Sequence, residues 1–114
     1  MGKDLSITVL MDFYGELLTE KQRDTLDLYY NRDYSLAEIA QDLDISRQGV
    51  RDFIKRGEKQ LAEFEEKLGM VKKYERISAE IEKLEGFINS DKAMVSQAVR
   101  TETKKILNSI KEEL

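Results

Sequence analysis

Basic side chains that could contact nucleic acid are concentrated in one short segment of the chain. Residues 47–60 hold five Arg or Lys and two acidic residues, whereas residues 1–34 hold four basic and seven acidic residues. The whole chain carries a formal net charge of −4, so this segment differs from its surroundings. Arg pairs bidentately with guanine and Gln with adenine, and a local excess of positive charge is typical of a nucleic-acid contact. The segment therefore predicts a nucleic-acid-binding helix.

The basic segment divides into residues suited to bases and residues suited to phosphates. The candidates for base-edge contact are Arg47, Gln48 and Arg51. The candidates for phosphate contact are Ser46, Lys55, Arg56 and Lys59, with Arg23 as an additional one. Asp52 opposes this arrangement, because a carboxylate facing DNA either accepts a hydrogen bond from a cytosine amino group or repels phosphate. The alternative for each basic residue is plain solvation on a helix surface.

Residue types that the chain lacks exclude several kinds of chemistry. There is no Cys, His, Pro or Trp among the 114 residues. Disulfides, thiolate or imidazole metal sites and Ser-His-Asp triads are therefore excluded. Acidic clusters such as Glu80, Glu82 and Glu85 alternate with basic residues, which is typical of solvated helix surface. We expect a non-enzymatic protein with no cofactor and no metal site.

The hydrophobic pattern gives no sign of a membrane segment. Uncharged stretches such as residues 5–11 run only seven residues, far below the roughly 20 needed to span a bilayer. We therefore expect a cytoplasmic protein with no membrane insertion.

Apolar residues recur at spacings of three and four, which predicts an all-helical fold. The expected helices cover about residues 4–18, 20–30, a short helix ending near 43, 47–68, one after Gly69 to about 88, and 91–113. The apolar stripe expected on the first helix consists of Leu10, Phe13, Tyr14, Leu17 and Leu18. Residues 89–91 are expected to cap the last helix, whose weaker stripe consists of Val95, Val99, Ile106 and Ile110. Two capping boxes mark helix starts, Thr19 with Gln22 and Ser35 with Glu38. Ser46 is a further N-cap, and Gly69 is a C-terminal stop.

Residues 36–56 have the spacing of two short helices that meet across a tight turn. The small shared core is expected from Ile39, Leu43, Ile45, Val50 and either Phe53 or Ile54, with Ala40 at the close approach. In a helix-turn-helix, the second helix lies in the major groove of DNA and its N-terminal residues reach base edges. The alternative is a helical hairpin that only packs. The local charge of residues 47–60 favours the nucleic-acid interpretation.

The long fourth helix and the helix after it carry an apolar seam. The seam consists of Leu61, Phe64, Leu68, Ile77, Ile81 and Leu84. A helix of about 22 residues is near 33 Å long, too long for a small motif to cover its whole stripe. We expect the chain's later helices to cover part of the seam and a second copy to cover the rest, which makes a homodimer. The expected organisation is a helix-turn-helix domain over residues 1–68 and a C-terminal helical hairpin over residues 69–114, in one compact unit.

Several blocks of sequence carry a family resemblance. Residues 18–23, 36–40 and 45–50 resemble the helix-turn-helix of sigma-factor region four, which binds the promoter −35 element. The blocks DFY and LLTEKQ within residues 12–22, LYY at 28–30, DYSLAEIA at 33–40 and IKR at 54–56 more closely resemble the YlxM family of small bacterial helix-turn-helix proteins. The resemblance covers about residues 12–68.

The resemblance implies a bacterial protein encoded beside the signal recognition particle GTPase, with a regulatory role in protein targeting. We therefore expect a nucleic-acid-binding regulator that acts on DNA or on RNA, with DNA favoured, and with signal recognition particle components as partners. The alternative is an adaptor that docks on the GTPase or its RNA without sequence-specific DNA binding. Asp44 stands where the motif usually has a turn Gly, and Gly49 where Ala or Thr is usual, at a cost of about 1 kcal/mol against Ala. We expect both departures to weaken sequence-specific contact with nucleic acid rather than to change the fold.

Overall fold

The structure, a computed structural model, describes residues 5–114. Its elements are α1 (Leu5–Tyr14), a 3-10 turn (Gly15–Leu17), α2 (Glu20–Tyr30), α3 (Leu36–Leu43), α4 (Arg47–Leu68), α5 (Met70–Ile88) and α6 (Gln97–Glu113). This architecture confirms the all-helical prediction over the described residues.

The predicted caps begin and end the central helices. The Thr19 and Ser35 side chains accept hydrogen bonds from the backbone amides of Gln22 and Glu38, and both capping boxes are complete. Gly69 ends α4 in the left-handed region at φ 61°. Because these caps satisfy backbone groups that a helix end leaves unpaired, the starts of α2 and α3 and the end of α4 follow from local sequence.

The first helix is shorter than the sequence pattern predicts. The predicted start at Asp4 lies outside the described residues. The predicted end at Leu18 is wrong, because α1 ends at Tyr14 and residues Gly15–Leu17 form a tighter 3-10 turn. The change in helical period rotates Leu17 out of the apolar stripe, and 57% of its surface is exposed. Gly lowers helix stability, which is consistent with a break at Gly15.

The core of the N-terminal part is formed by α1 to α4. Its fully buried side chains are Tyr14, Thr25, Leu26, Ile39, Val50 and Leu61. Gly57 allows α2 to approach α4 closely, since a Cβ there would lie 2.7 Å from Leu26 Cδ1. Every helix before α5 thus packs against α4.

A partly buried polar junction ties the start of α5 to this core. The Tyr14 hydroxyl donates to Glu65 Oε1 at 2.5 Å and accepts from the Met70 amide at 3.0 Å. Glu65 Oε1 also accepts from the Val71 amide at 3.0 Å. Burial, together with the Glu65 carboxylate, raises the pKa of Tyr14, so the hydroxyl remains a donor at neutral pH. Two amides at the start of α5, which no helical carbonyl could satisfy, gain partners in this way.

The chain divides into two compact units, one ending at Val71 and one formed by Lys72–Leu114. The sequence pattern instead predicts a single compact unit with a boundary after Leu68. The boundary lies later because the first residues of α5 hydrogen-bond to the junction and Val71 packs against the N-terminal core.

The last helix begins later than predicted. Residues 89–91 do not cap it, because the Ser90 hydroxyl donates back to the Phe87 carbonyl at the end of α5. The N-cap of α6 is Ser96, which accepts from the Val99 amide. The expected apolar stripe of this helix, Val95, Val99, Ile106 and Ile110, is exposed, and the buried residue of α6 is Leu107. Burial along α6 therefore depends on which side of the helix meets its neighbour, and the apolar spacing alone does not determine that side.

Candidate nucleic-acid interface

The turn between α3 and α4 has the geometry that a helix-turn-helix requires. Asp44 ends α3 in the left-handed region at φ 54° and ψ 46°, as its place in the turn predicts. The Ile45 amide then donates to the Ala40 carbonyl at 3.1 Å. Ser46 begins α4 by accepting from the Gly49 amide at 3.0 Å. Asp tolerates the left-handed conformation better than most residues, so the turn forms without Gly.

The small shared core of the two helices is present. The expected core residues Ile39, Ala40, Val50 and Ile54 are buried, and Leu43 and Ile45 pack against them. Of the two alternatives Phe53 and Ile54, the buried one is Ile54. This core fixes α3 against α4 and leaves the opposite side of α4 in solvent.

The exposed side of α4 begins beside a crevice. Its lining consists of Ser35, Leu36 and Ala37 from the start of α3 and Arg47, Gln48 and Arg51 from α4. The start of a helix carries partial positive charge and unpaired amides. The two guanidinium groups add formal positive charge to the same place. The crevice therefore has the composition of an anion-binding surface.

Four basic residues form a ladder along α4, defined as Arg47, Arg51, Lys55 and Lys59. All four are exposed. A spacing of four residues advances about 6 Å along a helix and turns about 40° around it. The ladder thus extends about 18 Å and drifts slowly around α4. Glu63 occupies the next position and ends it.

A second basic cluster joins α2 to α4. Lys21 Nζ lies 5.2 Å from the centroid of the Phe53 ring, and the Arg56 guanidinium lies 5.0 Å from it. Cations within about 6 Å of an aromatic face are attracted to the ring. Lys21 thus lies on the same ring as Arg56, one of the predicted phosphate-contact residues, although its position in the sequence gives no sign of this. Lys21 and Arg56 are distant in sequence, and only the packing of α2 on α4 brings them together.

Asp52 lies on the exposed side of α4 among these cations. Gln48 Nε2 donates to Asp52 Oδ1 at 3.0 Å, and Arg56 Nε donates to the Asp52 backbone carbonyl at 3.4 Å. The carboxylate is therefore held beside Gln48, one turn from the start of α4.

Arg23 lies apart from the predicted interface. It lines an acidic groove formed by α1, the 3-10 turn and α2, together with Asp12, Glu16, Asp24 and Asp27. Its Nε lies 3.9 Å from Asp24 Oδ1. This groove shares no lining residue with the crevice at the start of α4.

The structure divides the predicted apolar seam between the two units. In the N-terminal unit, Leu61 is fully buried and Phe64 packs against Tyr14, with ring centroids 6.0 Å apart. These two residues are covered by the chain's own core, so the expectation that they need another cover is wrong. Leu68 is exposed.

In the C-terminal unit, the buried seam residue is Ile81, and Ile77 and Leu84 are exposed. An apolar groove runs between α5 and α6, lined by Arg76, Ile77, Glu80, Ile81, Leu84, Leu107 and Ile110. An ion pair between Lys111 and Glu85 also joins the two helices. Ile77 and Leu84, the exposed seam residues of this unit, thus line this groove.

Other kinds of site are missing from the part of the chain that the structure describes. Within residues 5–114, no group of three or more acidic side chains has the geometry to hold a metal ion. None of the described helices is both long and apolar enough to cross a membrane.

Comparisons with known proteins agree with this geometry. A family model, UPF0122, described as "Putative helix-turn-helix protein, YlxM / p13 like", matches residues 1–106. The chain is 56% identical over 80 residues to a UPF0122 protein of Caldanaerobacter subterraneus subsp. tengcongensis, covering 70% of this chain and 68% of that protein. It is 44% identical over 110 residues to a UPF0122 protein of Halalkalibacterium halodurans, covering 96% of this chain and 95% of that protein.

Proposed function

The chain belongs to the UPF0122 family of YlxM / p13 like helix-turn-helix proteins, and from this premise we propose that it is a non-enzymatic regulator that binds nucleic acid through α4. The observation that carries the proposal is the exposed basic ladder, which begins at the crevice formed with the start of α3. Duplex DNA is the favoured ligand, because a helix presented in this way fits the major groove.

Each part of the surface has a distinct role in this proposal. Arg47 and Arg51 contact base edges, and Gln48 lies beside them. Phosphates are contacted by Ser46, Lys55, Arg56 and Lys59, to which the packing of α2 adds Lys21. Phosphate contacts position a protein on the duplex, whereas base contacts specify sequence.

Salt-dependent binding to duplex DNA tests this proposal. The double variant Arg47→Ala/Arg51→Ala is expected to weaken binding at least about tenfold and to reduce the log–log salt slope, by about 0.9 for each phosphate that is no longer neutralised. The matched control is Arg32→Ala, because Arg32 is an exposed cation that lies 3.3 Å from Asp27 at the acidic groove. Affinity that is equal in the double variant and the control would contradict the proposal.

The family resemblance extends the proposal to protein targeting in the cytoplasm, with signal recognition particle components as partners. A second candidate function is an adaptor that docks on the targeting GTPase or its RNA without reading DNA sequence. The exposed Asp52 favours this candidate, since a carboxylate beside the ladder weakens contact with phosphates. Sequencing the nucleic acid that co-purifies with the protein distinguishes the two: a recurrent DNA site supports the regulator, and one enriched RNA supports the adaptor.

We also propose that the groove between α5 and α6 pairs with a second copy of the chain. Its rim carries Arg76 and Glu80 on the same helix. A two-fold axis would place Arg76 of each copy near Glu80 of the other, so the surface is complementary to itself. Ile77, Leu84 and Ile110 would be buried by this pairing.

Sedimentation at micromolar concentration tests the homodimer. The wild-type chain is expected to sediment as a dimer, and Leu84→Glu as a monomer with unchanged helix content. Lys92→Glu, at an exposed position outside the groove lining, is the control and should remain dimeric. A monomeric wild-type chain would contradict the proposal.

A further inference from the structure

One exposed carboxylate interrupts the basic surface of α4. Of the two acidic residues in 47–60, Glu58 is half-buried and accepts a hydrogen bond from the Tyr30 hydroxyl. Asp52 is exposed. It lies between the basic ladder and Arg56, where it repels the phosphates that those cations attract. Asp52 therefore lowers the affinity of this surface for any polyanion, so its presence calls for a separate explanation.

The hydrogen bond from Gln48 determines which atoms Asp52 presents. Because Gln48 Nε2 donates to Oδ1 at 3.0 Å, the carboxylate is held toward the start of α4, the part of the helix that would enter a groove. The Oδ2 atom of Asp52 and the side-chain Oε1 atom of Gln48 remain as acceptors. The Gln48–Asp52 pair thus presents acceptors next to the donors of Arg47 and Arg51.

The bases differ in what they offer to such an acceptor. In the major groove, guanine presents two acceptors and thymine presents an acceptor and a methyl group, whereas cytosine and adenine present amino donors. Adenine carries its N7 acceptor beside the amino group, where it would repel a carboxylate. Cytosine has no acceptor at that edge. A carboxylate in this position therefore selects cytosine.

We propose that Asp52 is a specificity-determining residue that accepts a hydrogen bond from the N4 amino group of a cytosine, and that Gln48 is its positioning residue. This inference rests on the proposed binding of duplex DNA by α4. Arg51 and Asp52 are consecutive and project about 100° apart around the helix. The surface thus carries a guanine-reading edge and a cytosine-reading edge side by side. Asp52 lowers the affinity for every duplex by repelling phosphate, whereas its hydrogen bond to cytosine raises the affinity only for duplexes with the correct sequence.

Selection from a duplex library with a randomised core tests this inference, together with affinity for one unselected duplex. Wild-type protein is expected to enrich a motif with a fixed cytosine. Asp52→Ala should lose the preference at that position, by about fivefold or more, and bind the unselected duplex about threefold more tightly, because one like charge near phosphate is removed. Gln48→Ala should relax the same position without the gain in unselected affinity, since it changes no charge.

Glu16→Ala is the control, because Glu16 is an exposed carboxylate in the acidic groove. It should leave both the motif and the unselected affinity unchanged. The inference is overturned if Asp52→Ala enriches the wild-type motif, or if wild-type protein binds duplex DNA with no enriched cytosine. The second result would leave the proposed function standing. An absence of salt-dependent binding to any duplex would remove the proposed function and this inference with it.

Discussion

The two units of the chain use apolar residues in opposite ways. In the N-terminal unit, Leu26, Ile39 and Leu61 are fully buried and every helix contributes to one core. The C-terminal unit holds α6 and the part of α5 from Lys72 onward, yet large apolar side chains such as Leu84 and Ile106 remain about half exposed. The core of the first unit holds α4 in place and leaves its basic side exposed. The second leaves an apolar surface for another molecule, which we propose is a second copy.

The largest expected effect comes from truncating a buried side chain in the N-terminal core. Leu26→Ala should lower the free energy of unfolding by about 2–5 kcal/mol, because an enclosed cavity remains. Leu107→Ala should cost less, about 2 kcal/mol, because its site adjoins the open groove and leaves no enclosed cavity. Urea unfolding followed by circular dichroism measures both. Equal losses would mean that the two units are equally well packed.

A pair of glycines sharpens the same comparison. Gly57→Ala should destabilise by about 1–3 kcal/mol, because the new Cβ would lie 2.7 Å from Leu26 Cδ1 in a packed core. Gly86 lies within α5 with nothing within 4 Å of its Cβ position. Gly86→Ala should therefore stabilise the chain by up to about 1 kcal/mol. Unfolding midpoints of the two variants should move in opposite directions, and a shift in the same direction would contradict this account.

The left-handed residues at either end of the α4 region give a smaller pair of effects. Gly69→Ala should cost about 1 kcal/mol, since φ there is 61° and a Cβ is unfavourable in that conformation. Asp44→Gly should stabilise the turn by about 0.5 kcal/mol for the same reason. Thermal unfolding of each variant against wild type measures these shifts. Stabilisation by Gly69→Ala would show that residue 69 does not adopt the left-handed conformation at the end of α4.

The smallest expected effect is a pH dependence confined to the N-terminal unit. The hydrogen bond from the Ser35 amide lowers the pKa of the Glu38 carboxyl. Glu38 therefore stabilises the fold above the usual carboxylate range, and this contribution disappears as the pH falls through its folded pKa. Glu38→Gln should flatten the loss of stability between about pH 5 and pH 3. In α6 the residue three positions after the N-cap Ser96 is Val99, which does not titrate. Ser96→Ala should therefore lower stability equally at pH 5 and at pH 3.

The elements that could be predicted from sequence are those set by neighbouring residues. The start of α2 and both ends of α4 follow from Thr19, Ser46 and Gly69, whose side chains or backbone act within one turn. The left-handed Asp44 follows from the place of the turn in the motif. Local hydrogen bonds of this kind need no knowledge of the rest of the fold.

Features that depend on distant packing could not be predicted in the same way. Leu61 and Ile77 are both apolar residues of the predicted seam, but Leu61 is fully buried and Ile77 is exposed. The difference arises because burial depends on which helix lies opposite. Ser90 has the residue type of an N-cap but closes α5 instead. For the candidate site, the basic spacing along α4 can be predicted from sequence, whereas the position of Lys21 beside Arg56 depends on the packing of α2 on α4. The roles of these residues stay predictions.

The junction at Tyr14 has a practical consequence for dividing the chain. A fragment cut at Leu68, where α4 ends, would remove the Met70 and Val71 amides that donate to Tyr14 and Glu65. It would leave the buried Tyr14 hydroxyl oxygen without a donor, at a cost of about 1–3 kcal/mol, and Glu65 Oε1 would keep only the hydrogen bond from Tyr14. A fragment that continues to Val71 keeps both hydrogen bonds. The smallest portable piece that keeps the helix-turn-helix and this junction intact therefore includes the first turn of α5, a helix that otherwise belongs to the C-terminal unit.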